Sequence, residues 1–498
     1  MMCISIDLFA LLSTVSFLTA NYDANQNKQF EKPWDNGRLV VSENGRFLRH
    51  ENGKTFFWLG DTAWLLFHRL NRDEVQTYLE DRRQKGFNVI QAVVLHRLPQ
   101  FNYYRDSALI GNDPAQPLTT PGSNPENESE YDFWDHVDFV VETAAQKGIY
   151  IAMVPVWGSN ARRRRSFTEE STRAYGKWLA ERYRNKSNII WINGGDTMGN
   201  QNTQIWQALG TTLHEEDPNH LMTFHPFGRT QSSTWFHNEP WLDFNMFQSG
   251  HKRYDQIEAD DDIATWKGED NWKYVLEDYA KTPAKPTIDG EPSYENIPQG
   301  LHNPAEPYWQ DRDARRYAYW SVFAGAFGHT YGNSAVIQMH KPDSGRGSYG
   351  VRNYWYEAIN DPGAGQMQYL KTLILSRPFF ERVYDPSIVV DNGEKYDFVI
   401  ATRGESYAFI YTYTGREFEV SLGKISGEKV KASWYNPRNG KSQLLGTFEN
   451  NGTQRFDPPG EKTEGNDWVL ILDDASPPPR LASGDVGAGK NFSVPGGE

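Results

Sequence analysis

The sequence has a single cysteine, Cys3, among its 498 residues. One cysteine allows neither an internal disulfide nor a cysteine-based metal site, so packing alone must hold the fold together. Basic residues are in the minority, because 51 Lys and Arg face 65 Asp and Glu and leave a net charge of −14. This balance argues against nucleic-acid binding, which requires a basic face for the phosphates.

Long apolar runs are confined to the N-terminus, and no later segment approaches the roughly 18 apolar residues of a membrane span. Residues 1–20, MMCISIDLFALLSTVSFLTA, end in the small residue Ala20 before a polar stretch. This run resembles a secretory signal peptide, although Asp7 stands where Lys or Arg is usual. We therefore expect an exported protein whose mature chain has lost Cys3.

Aromatic residues are abundant, at 14% of the chain with 17 Trp and 26 Tyr. Most of these rings are expected to fill a core, and the remainder suit stacking on flat sugar or base faces. The length fits one large domain with a smaller one, since single cores stop growing near roughly 250 to 300 residues.

Between residues 55 and 376, short β-branched or aromatic runs alternate with amphipathic helical stretches. This is the pattern of βα units on a parallel sheet. The predicted strands are 56–61, 88–95, 149–156, 188–193, 221–226, 243–248, 286–291 and 328–332. Eight units predict a TIM (β/α)8 barrel over residues 33–380. A doubly wound sheet is the alternative, but no Gly-rich fingerprint follows the first strand.

The pattern changes to period-two alternation with frequent Gly and Asn-Gly turns after residue 380. It predicts a small antiparallel β-sandwich over residues 381–474. Residues 475–498 are rich in Pro, Gly and Ser and are predicted to be a mobile tail.

Acidic residues stand at several predicted strand ends, where a TIM barrel carries its chemistry. They are Asp61 after strand one, Asp196 after strand four, and Asp289 with Glu291 at strand seven. Period-two alternation places Asp289 and Glu291 on the same side of their strand. The Gly194-Gly195 pair would let the backbone turn and aim Asp196 inward. The alternative for Asp196 is an ordinary helix cap.

Two carboxylates on either side of a glycosidic bond can donate a proton to the leaving oxygen and attack the anomeric carbon. A retaining glycosidase holds them roughly 5 to 5.5 Å apart. Strands four and seven of a barrel face each other across the lumen, so Asp196 and Glu291 suit this role. Asn238-Glu239-Pro240 contains a rival acid, but it lies between predicted strands. We interpret Glu239 as a loop residue or part of the substrate rim, with catalysis as the less favoured alternative.

Three blocks of the sequence resemble a known family: residues 45–91, the run WINGGD and the run DGEPSYE. They are similar to apiosidase-like proteins of glycoside hydrolase family 140, and the run SWYNPRNG resembles the sandwich domain that accompanies that barrel. The resemblance implies a TIM barrel, with Asp196 as acid/base and Glu291 as nucleophile. It also implies cleavage of apiosyl linkages in the side chains of rhamnogalacturonan II, a plant cell-wall pectin.

Other side chains near predicted strand ends are candidates for binding sugar hydroxyls or stacking on a sugar ring. They are Asp61, Trp64, His96, Trp157, His225, Gln248, His251, Tyr294, His329 and Tyr331. Tyr294 is a candidate hydrogen-bond partner of the nucleophile. No ligand spacing for a metal is present, and no cofactor is expected.

A run of four arginines, Arg162 to Arg165, follows predicted strand three. It is either a solvated loop or a basic spot for an acidic polysaccharide. The run Asp260 to Asp262 is interpreted as a solvated loop or helix start.

The leading interpretation is a retaining glycoside hydrolase of pectin side chains. A barrel glycosidase of another linkage, such as an endo-glycanase or a mannosidase, is the second. A carbohydrate-binding or adhesive protein without chemistry is the third, and the presence of both acids argues against it. The oligomeric state does not follow from the sequence.

Overall fold

A computed structural model describes residues 32–163, 166–256, 267 and 269–476. The signal-peptide expectation for residues 1–20 lies outside these residues, as does nearly all of the predicted tail. Arg164, Arg165 and the Asp260 to Asp262 run also lie outside them, and the side chains of Arg162 and Arg163 are likewise not described.

The first part of the chain alternates strands and helices. Its strands are β1 (Leu39–Val41), β2 (Leu48–His50), β3 (Thr55–Phe56), β4 (Trp58–Thr62), β5 (Val89–Leu95), β6 (Tyr150–Val156), β7 (Ile189–Thr197), β8 (Met222–Pro226), β9 (Thr230–Gln231), β10 (Asn245–Gln248), β11 (Thr287–Asp289) and β12 (Gly328–Tyr331). Its helices are α1 (Leu66–Arg69), α2 (Arg72–Gln84), α3 (Phe133–Gln146), α4 (Gly158–Arg163), α5 (Glu169–Tyr183), α6 (Thr203–Glu216), α7 (Ser233–Phe236), α8 (Trp272–Tyr279), α9 (Asp311–Phe323), α10 (Trp355–Ala358) and α11 (Pro362–Leu375). The eight predicted strands coincide with β4, β5, β6, β7, β8, β10, β11 and β12.

Six of these strands form one parallel sheet in the order β12-β4-β5-β6-β7-β8. Strands β10 and β11 form a separate parallel pair, which β9 extends in antiparallel fashion. Hydrogen bonds join the two groups at both edges. Thr223 Oγ1 donates to Phe244 O at 2.7 Å and Asp243 N to Met222 O at 2.9 Å on one side, and Phe327 N donates to Thr287 O at 3.2 Å on the other. The sheet strands β5 and β6 are buried along their whole length, as expected for strands covered on both faces.

The helices begin where the sequence supplies capping side chains. Asn71 accepts from the backbone N–H of Glu74 at the start of α2, and Asp132 accepts from Trp134 and Asp135 at the start of α3. These caps satisfy amide groups that have no partner within the helix. The two helices therefore start at fixed positions against the outer face of the sheet.

The second part of the chain is an antiparallel β domain. Its strands are β13 (Val383–Tyr384), β14 (Val399–Arg403), β15 (Tyr407–Thr412), β16 (Phe418–Ser421), β17 (Lys429–Asn436), β18 (Lys441–Glu449), β19 (Thr453–Phe456) and β20 (Trp468–Asp474). Six form a sheet in the order β13-β14-β15-β20-β17-β18, and β16 pairs with β19. The predicted antiparallel β domain is therefore present.

The two parts of the chain share a buried interface at α9. Arg315 Nε donates to Asp467 Oδ2 at 2.8 Å, and both side chains are almost completely buried. The rings of Tyr319 and Tyr411 stack with centroids 4.7 Å apart. Burial of this ion pair and of these stacked rings holds the β domain against the α/β part.

Candidate active site

A cavity of about 970 Å³ opens at the carboxyl ends of the parallel strands. It contains Asp196 and Glu291 together. The further residues around it are Trp64, Leu65, His96, Arg97, Leu98, Trp157, Ser159, Asn160, Ser166, Gln248, Tyr294, Leu301, Ile337, Gln338, Ser348 and Tyr349. This is the end of the sheet at which α/β enzymes place their catalytic groups.

Asp196 reaches the cavity because the end of β7 departs from regular pairing. The register to β8 shifts between Gly194 and Thr197, and Gly194, Gly195 and Asp196 all have positive φ, of 86°, 109° and 47°. A Cβ on Gly195 would lie 2.7 Å from the ring of Trp157. Only glycine fits both the conformation and the close approach. Helix α6 starts at Thr203 with Asn202 as its N-cap, so Asp196 does not cap it.

Glu291 lies two residues beyond the end of β11 and is 7% exposed. His251 Nε2 lies 3.0 Å from one carboxylate oxygen, and His225 Nε2 lies 3.2 Å from the other. Burial alone would raise the pKa of Glu291, but hydrogen bonds from these histidines lower it to about 2. The carboxylate is therefore ionised and oriented in the cavity.

His225 connects the two acids. Its Nδ1 accepts the backbone N–H of Asp196 at 3.3 Å, so the proton of a neutral ring must lie on Nε2. That nitrogen faces Glu291, and the ring can donate to the carboxylate only in this tautomer. The backbone at Asp196 thus determines which proton is presented to Glu291.

Aromatic side chains form one wall of the cavity. The rings of Trp64 and Trp157 lie 5.1 Å apart, and each lies within 6 Å of His225. Trp64 Nε1 donates to the Tyr294 hydroxyl at 3.2 Å. Burial and the neighbouring Glu291 carboxylate, which shares a hydrogen bond with this hydroxyl, raise the pKa of Tyr294 well above its usual value. The wall therefore offers apolar faces beside a neutral hydroxyl.

His96 lies beside Trp157 on the same side, with ring centroids 5.7 Å apart. Burial, followed by the charges of its neighbours, lowers the pKa of His96 to about 3, so the ring is neutral. Gln248 stands at the end of β10 and has a buried amide oxygen with no hydrogen-bond partner among the described residues. Both side chains are available to bind sugar hydroxyls.

Tyr349 and Arg97 also line the cavity, and no pattern in the sequence points to either. Tyr349 is 39% exposed and has a positive φ of 55°. Burial and the charges of Glu291 and Asp196 raise the pKa of its hydroxyl, while Arg97 opposes that change. Tyr349 therefore lies near both acids, on a loop whose path depends on distant contacts.

Three predicted binding residues lie elsewhere. Asp61 is fully buried on the helix side of β4, where its carboxylate accepts from Arg82 Nε and the Tyr78 hydroxyl, both at 2.6 Å. Tyr331 pairs in register with Asp61, and its hydroxyl donates to Glu295. His329 shares that face of β12 by alternation and is fully buried. Strand alternation turns these three side chains toward the helices, so the structure does not bring them to the cavity.

Asp289 does not share a side with Glu291. The strand ends at Asp289, so period-two alternation does not extend to Glu291. Glu239 is half-buried near Lys285, which precedes β11 at the opposite end of the sheet from the cavity. The interpretation of Glu239 as substrate rim is therefore wrong.

The described residues contain neither a candidate metal site nor a candidate membrane span. No three His, Cys, Asp or Glu side chains in this part of the chain come together as a metal site. None of its helices has the length and hydropathy to cross a membrane.

The chain is similar to known glycoside hydrolases over nearly its whole length. The family model described as "Apiosidase-like, catalytic domain" matches residues 42–381, and that described as "Putative collagen-binding domain of a collagenase" matches residues 383–473. A solved "Glycoside hydrolase" is 51% identical with a TM-score of 0.84, over 90% of this chain and 99% of that one. A solved glycoside hydrolase family 5 protein from Bacteroides vulgatus ATCC 8482 is 47% identical with a TM-score of 0.84, over 89% and 95%. No curated protein matches the chain.

Proposed function

The chain belongs to the apiosidase-like family of glycoside hydrolases, and we propose that it cleaves apiosyl linkages in the side chains of rhamnogalacturonan II with retention of configuration. Glu291 is the nucleophile and Asp196 the acid/base. The observation that carries the proposal is the pairing of Glu291, ionised between His225 and His251, with Asp196 in one cavity.

The proposed reaction has two steps. Glu291 attacks the anomeric carbon while protonated Asp196 gives its proton to the leaving oxygen, which breaks the glycosidic bond and forms a glycosyl ester. Asp196 then removes a proton from water, which attacks the same carbon and releases Glu291. The two histidines favour the ionised nucleophile in the first step. Trp64, Trp157 and Tyr294 supply the apolar and hydroxyl surface for the sugar.

We infer that β8, β10, β11 and β12 complete a closed (β/α)8 barrel around this site. The hydrogen bonds between Thr223 and Phe244 and between Phe327 and Thr287 support the closure. A closed barrel would hold Asp196 and Glu291 on rigid strands on opposite sides of the cavity.

The test uses Asp196→Ala and Glu291→Ala with apiose-containing fragments of rhamnogalacturonan II. We expect each variant to lose apiose release by several orders of magnitude. Azide added to Glu291→Ala should give a glycosyl azide of inverted configuration, and added to Asp196→Ala one of retained configuration. The anomer first formed by the native protein, followed by NMR, should be the retained one. Activity left intact in either variant would overturn the assignment of roles.

A glycosidase of another linkage is the second candidate, because one close relative is described as a family 5 glycoside hydrolase. A panel of mannans, glucans and pectin fragments separates the two. Release of sugar from a mannan or glucan, with none from the apiose-containing fragments, would favour the second candidate. Binding without any release would favour a non-catalytic carbohydrate-binding protein.

We also propose that the protein is exported and acts on plant cell-wall polysaccharide outside the cell. The apolar run at residues 1–20 supports this. N-terminal sequencing of protein from the culture medium should give a chain that starts near Asn21. An intact N-terminus on protein found only inside the cell would contradict it.

A further inference from the structure

A second buried carboxylate stands beside the nucleophile and has no part in the proposed reaction. Asp289, the last residue of β11, is fully buried. Its Oδ2 accepts from the Ser249 hydroxyl at 2.6 Å and from Asn271 Nδ2 at 3.0 Å, and its Oδ1 accepts from the Ser249 N–H at 3.3 Å. It also accepts the backbone N–H of Glu291, two residues on. Asp289 therefore joins the ends of β10 and β11.

The turn that Asp289 holds carries His251. Ser249, Gly250 and His251 follow directly on β10, and Gly250 takes a positive φ of 83°. The N–H of Gly250 donates to Glu291 O at 3.2 Å, and the Ser293 hydroxyl donates to Gly250 O at 2.8 Å. His251 then reaches Glu291 Oε1 at 3.0 Å. These bonds connect the turn that carries His251 to the backbone of Glu291, and Gly300 N–H and Trp309 Nε1 hold the other side of the turn by donating to His251 O.

We propose that Asp289 is a positioning residue for the nucleophile, which it serves by holding the turn of His251 and the backbone of Glu291 in one arrangement. The proposal rests on the assignment of Glu291 as nucleophile. Asp289 does not touch the cavity and acts only through His251 and the Glu291 backbone.

The buried environment of Asp289 makes the ionised form of its carboxylate energetically unfavourable. Burial raises its pKa to about 6, against the hydrogen bonds from Asn271, Ser249 and Glu291 that lower it. Tyr274 of α8 also faces it, and the pKa of that hydroxyl is raised by burial and by Asp289. No cationic side chain forms an ion pair with Asp289 among the described residues. A buried acid without a counter-ion is expensive to ionise, and the hydrogen bonds that Asp289 accepts from Ser249, Asn271 and Glu291 offset part of that cost.

Asn271, which donates to Asp289, is itself held in place by further hydrogen bonds. Asn271 Nδ2 donates to Tyr317 O at 2.8 Å as well as to Asp289, and the Asn271 N–H donates to Glu269 O at 2.8 Å. Glu269 accepts from the hydroxyl of Tyr396, which belongs to the β domain, at 2.7 Å. Asp289 is therefore hydrogen-bonded to a well-anchored residue, and this limits the movement of the turn that carries His251.

The test compares Asp289→Asn, Asp289→Leu and Ser249→Ala with the native protein. Asn keeps an oxygen that accepts from Ser249 and Asn271, whereas Leu leaves both donors unsatisfied. Ser249→Ala removes the hydroxyl that donates to Asp289 without changing any charge. This variant tests the proposal if an Asp289 variant does not fold. Asp278→Asn is the matched control, because Asp278 is also fully buried, has a pKa of about 6 and accepts from Ser233 and Thr287. Asp278 makes none of these contacts with the His251 turn.

The readout is the pH profile of kcat/KM, whose acidic limb reports ionisation of Glu291 in the free protein. Removing the negative charge of Asp289 would by itself lower the pKa of Glu291. Weakening the hydrogen bond between His251 and Glu291 raises the pKa of Glu291 instead. We expect the acidic limb to move to higher pH in Asp289→Leu and Ser249→Ala, and to move less in Asp289→Asn. In Asp289→Leu, kcat should be at least about tenfold lower, while KM should change less than about twofold.

Asp278→Asn should leave the limb in place even where melting shows lower stability. A limb that stays or moves to lower pH in both Asp289→Leu and Ser249→Ala would overturn the positioning role. An equal shift in Asp278→Asn would also overturn it. The proposed function fails separately, if Glu291→Ala stays active, so the two failures are distinguishable.

Discussion

His225 Nε2 lies 3.2 Å from Glu291 Oε2, and the opposite nitrogen of the same ring accepts the N–H of Asp196. One imidazole therefore faces the proposed nucleophile with Nε2 and holds the backbone of the proposed acid/base residue with Nδ1. The tautomer that Glu291 needs is selected by a peptide N–H that cannot move independently of Asp196.

The two nitrogens of His225 can be tested separately. His225→Gln keeps an amide N–H near the Nε2 position, and His225→Asn keeps an acceptor near Nδ1. A hydrogen bond to a charged group contributes about 1.5 to 3 kcal/mol, so His225→Asn should lower kcat/KM about tenfold to hundredfold. Its acidic limb should move to higher pH, because the pKa of Glu291 rises from about 2. We expect a smaller effect in His225→Gln.

The control for this pair is His214→Asn, since His214 lies on α6 and does not contact the cavity. Its pH profile should match that of the native protein. The tautomer argument would be contradicted if His225→Gln and His225→Asn had the same limb as His214→Asn.

Gly195 tests the bend that presents Asp196. A Cβ at this position would meet the Trp157 ring at 2.7 Å, whereas a Cβ at Gly53 would have nothing within 4 Å. Both glycines have positive φ, so Gly195→Ala and Gly53→Ala should each cost about 1 to 2 kcal/mol of stability. Only Gly195→Ala should also lower kcat, because Trp157 or Asp196 must shift. Urea unfolding and steady-state kinetics measure the two effects, and equal kinetics in both variants would contradict the close-packing argument.

The sequence predicted the strand positions because β-branched runs and helix periodicity are local signals. It pointed to Asp196 and Glu291 because both follow such runs directly. It did not show that Asp61 turns away from the cavity, because its partners Tyr78 and Arg82 lie on α2 and both faces of the short strand β4 are buried. Tyr349 could not be predicted, since its place depends on how a loop after β12 folds back over the cavity.

Buried acids outside the cavity predict how stability depends on pH. Burial raises the pKa of Glu295 to about 7, although its carboxylate accepts from Tyr331 and the Gly363 N–H. The unfolded chain should have the ordinary value of about 4.3, so the folded state binds this proton more tightly. Stability from this group is complete below the unfolded pKa and is lost as pH rises through about 7.

The melting temperature should therefore rise as pH falls from about 8 to about 5. Glu295→Gln cannot titrate, so its curve should be flatter over that range. Asp278 and Asp289, whose pKa values burial raises to about 6, should retain part of the slope in that variant. Parallel curves for the native protein and Glu295→Gln would contradict the assignment to Glu295.

Asp61 gives a prediction that separates stability from activity. Its ion pair with Arg82 is fully buried, with Nε to Oδ2 at 2.6 Å and a further hydrogen bond from Tyr78. Removing Asp61 takes away the acceptor of Arg82 Nε and of the Tyr78 hydroxyl, while Arg82 keeps its ion pair with Asp81 at 2.7 Å. Asp61→Ala should therefore cost about 3 kcal/mol of unfolding free energy, the lower end of the range for a broken buried pair. Asp73→Ala, at an exposed site in the first turn of α2, is the control and should cost no more than about 1 kcal/mol, the contribution of an acid near a helix N-terminus.

The kinetics of folded Asp61→Ala distinguish a side chain that binds substrate in the cavity, as the sequence suggested, from one that packs against α2, as in the structure. The side chain points to α2 and not into the cavity, so KM and kcat per folded molecule should stay within about twofold of native values. A residue that bonded a sugar hydroxyl would instead raise KM when removed, even in molecules that remain folded. Because the ion pair holds α2 against β4, its loss should appear as lower cooperative stability while the strand ends that carry Asp196 and Glu291 keep their positions.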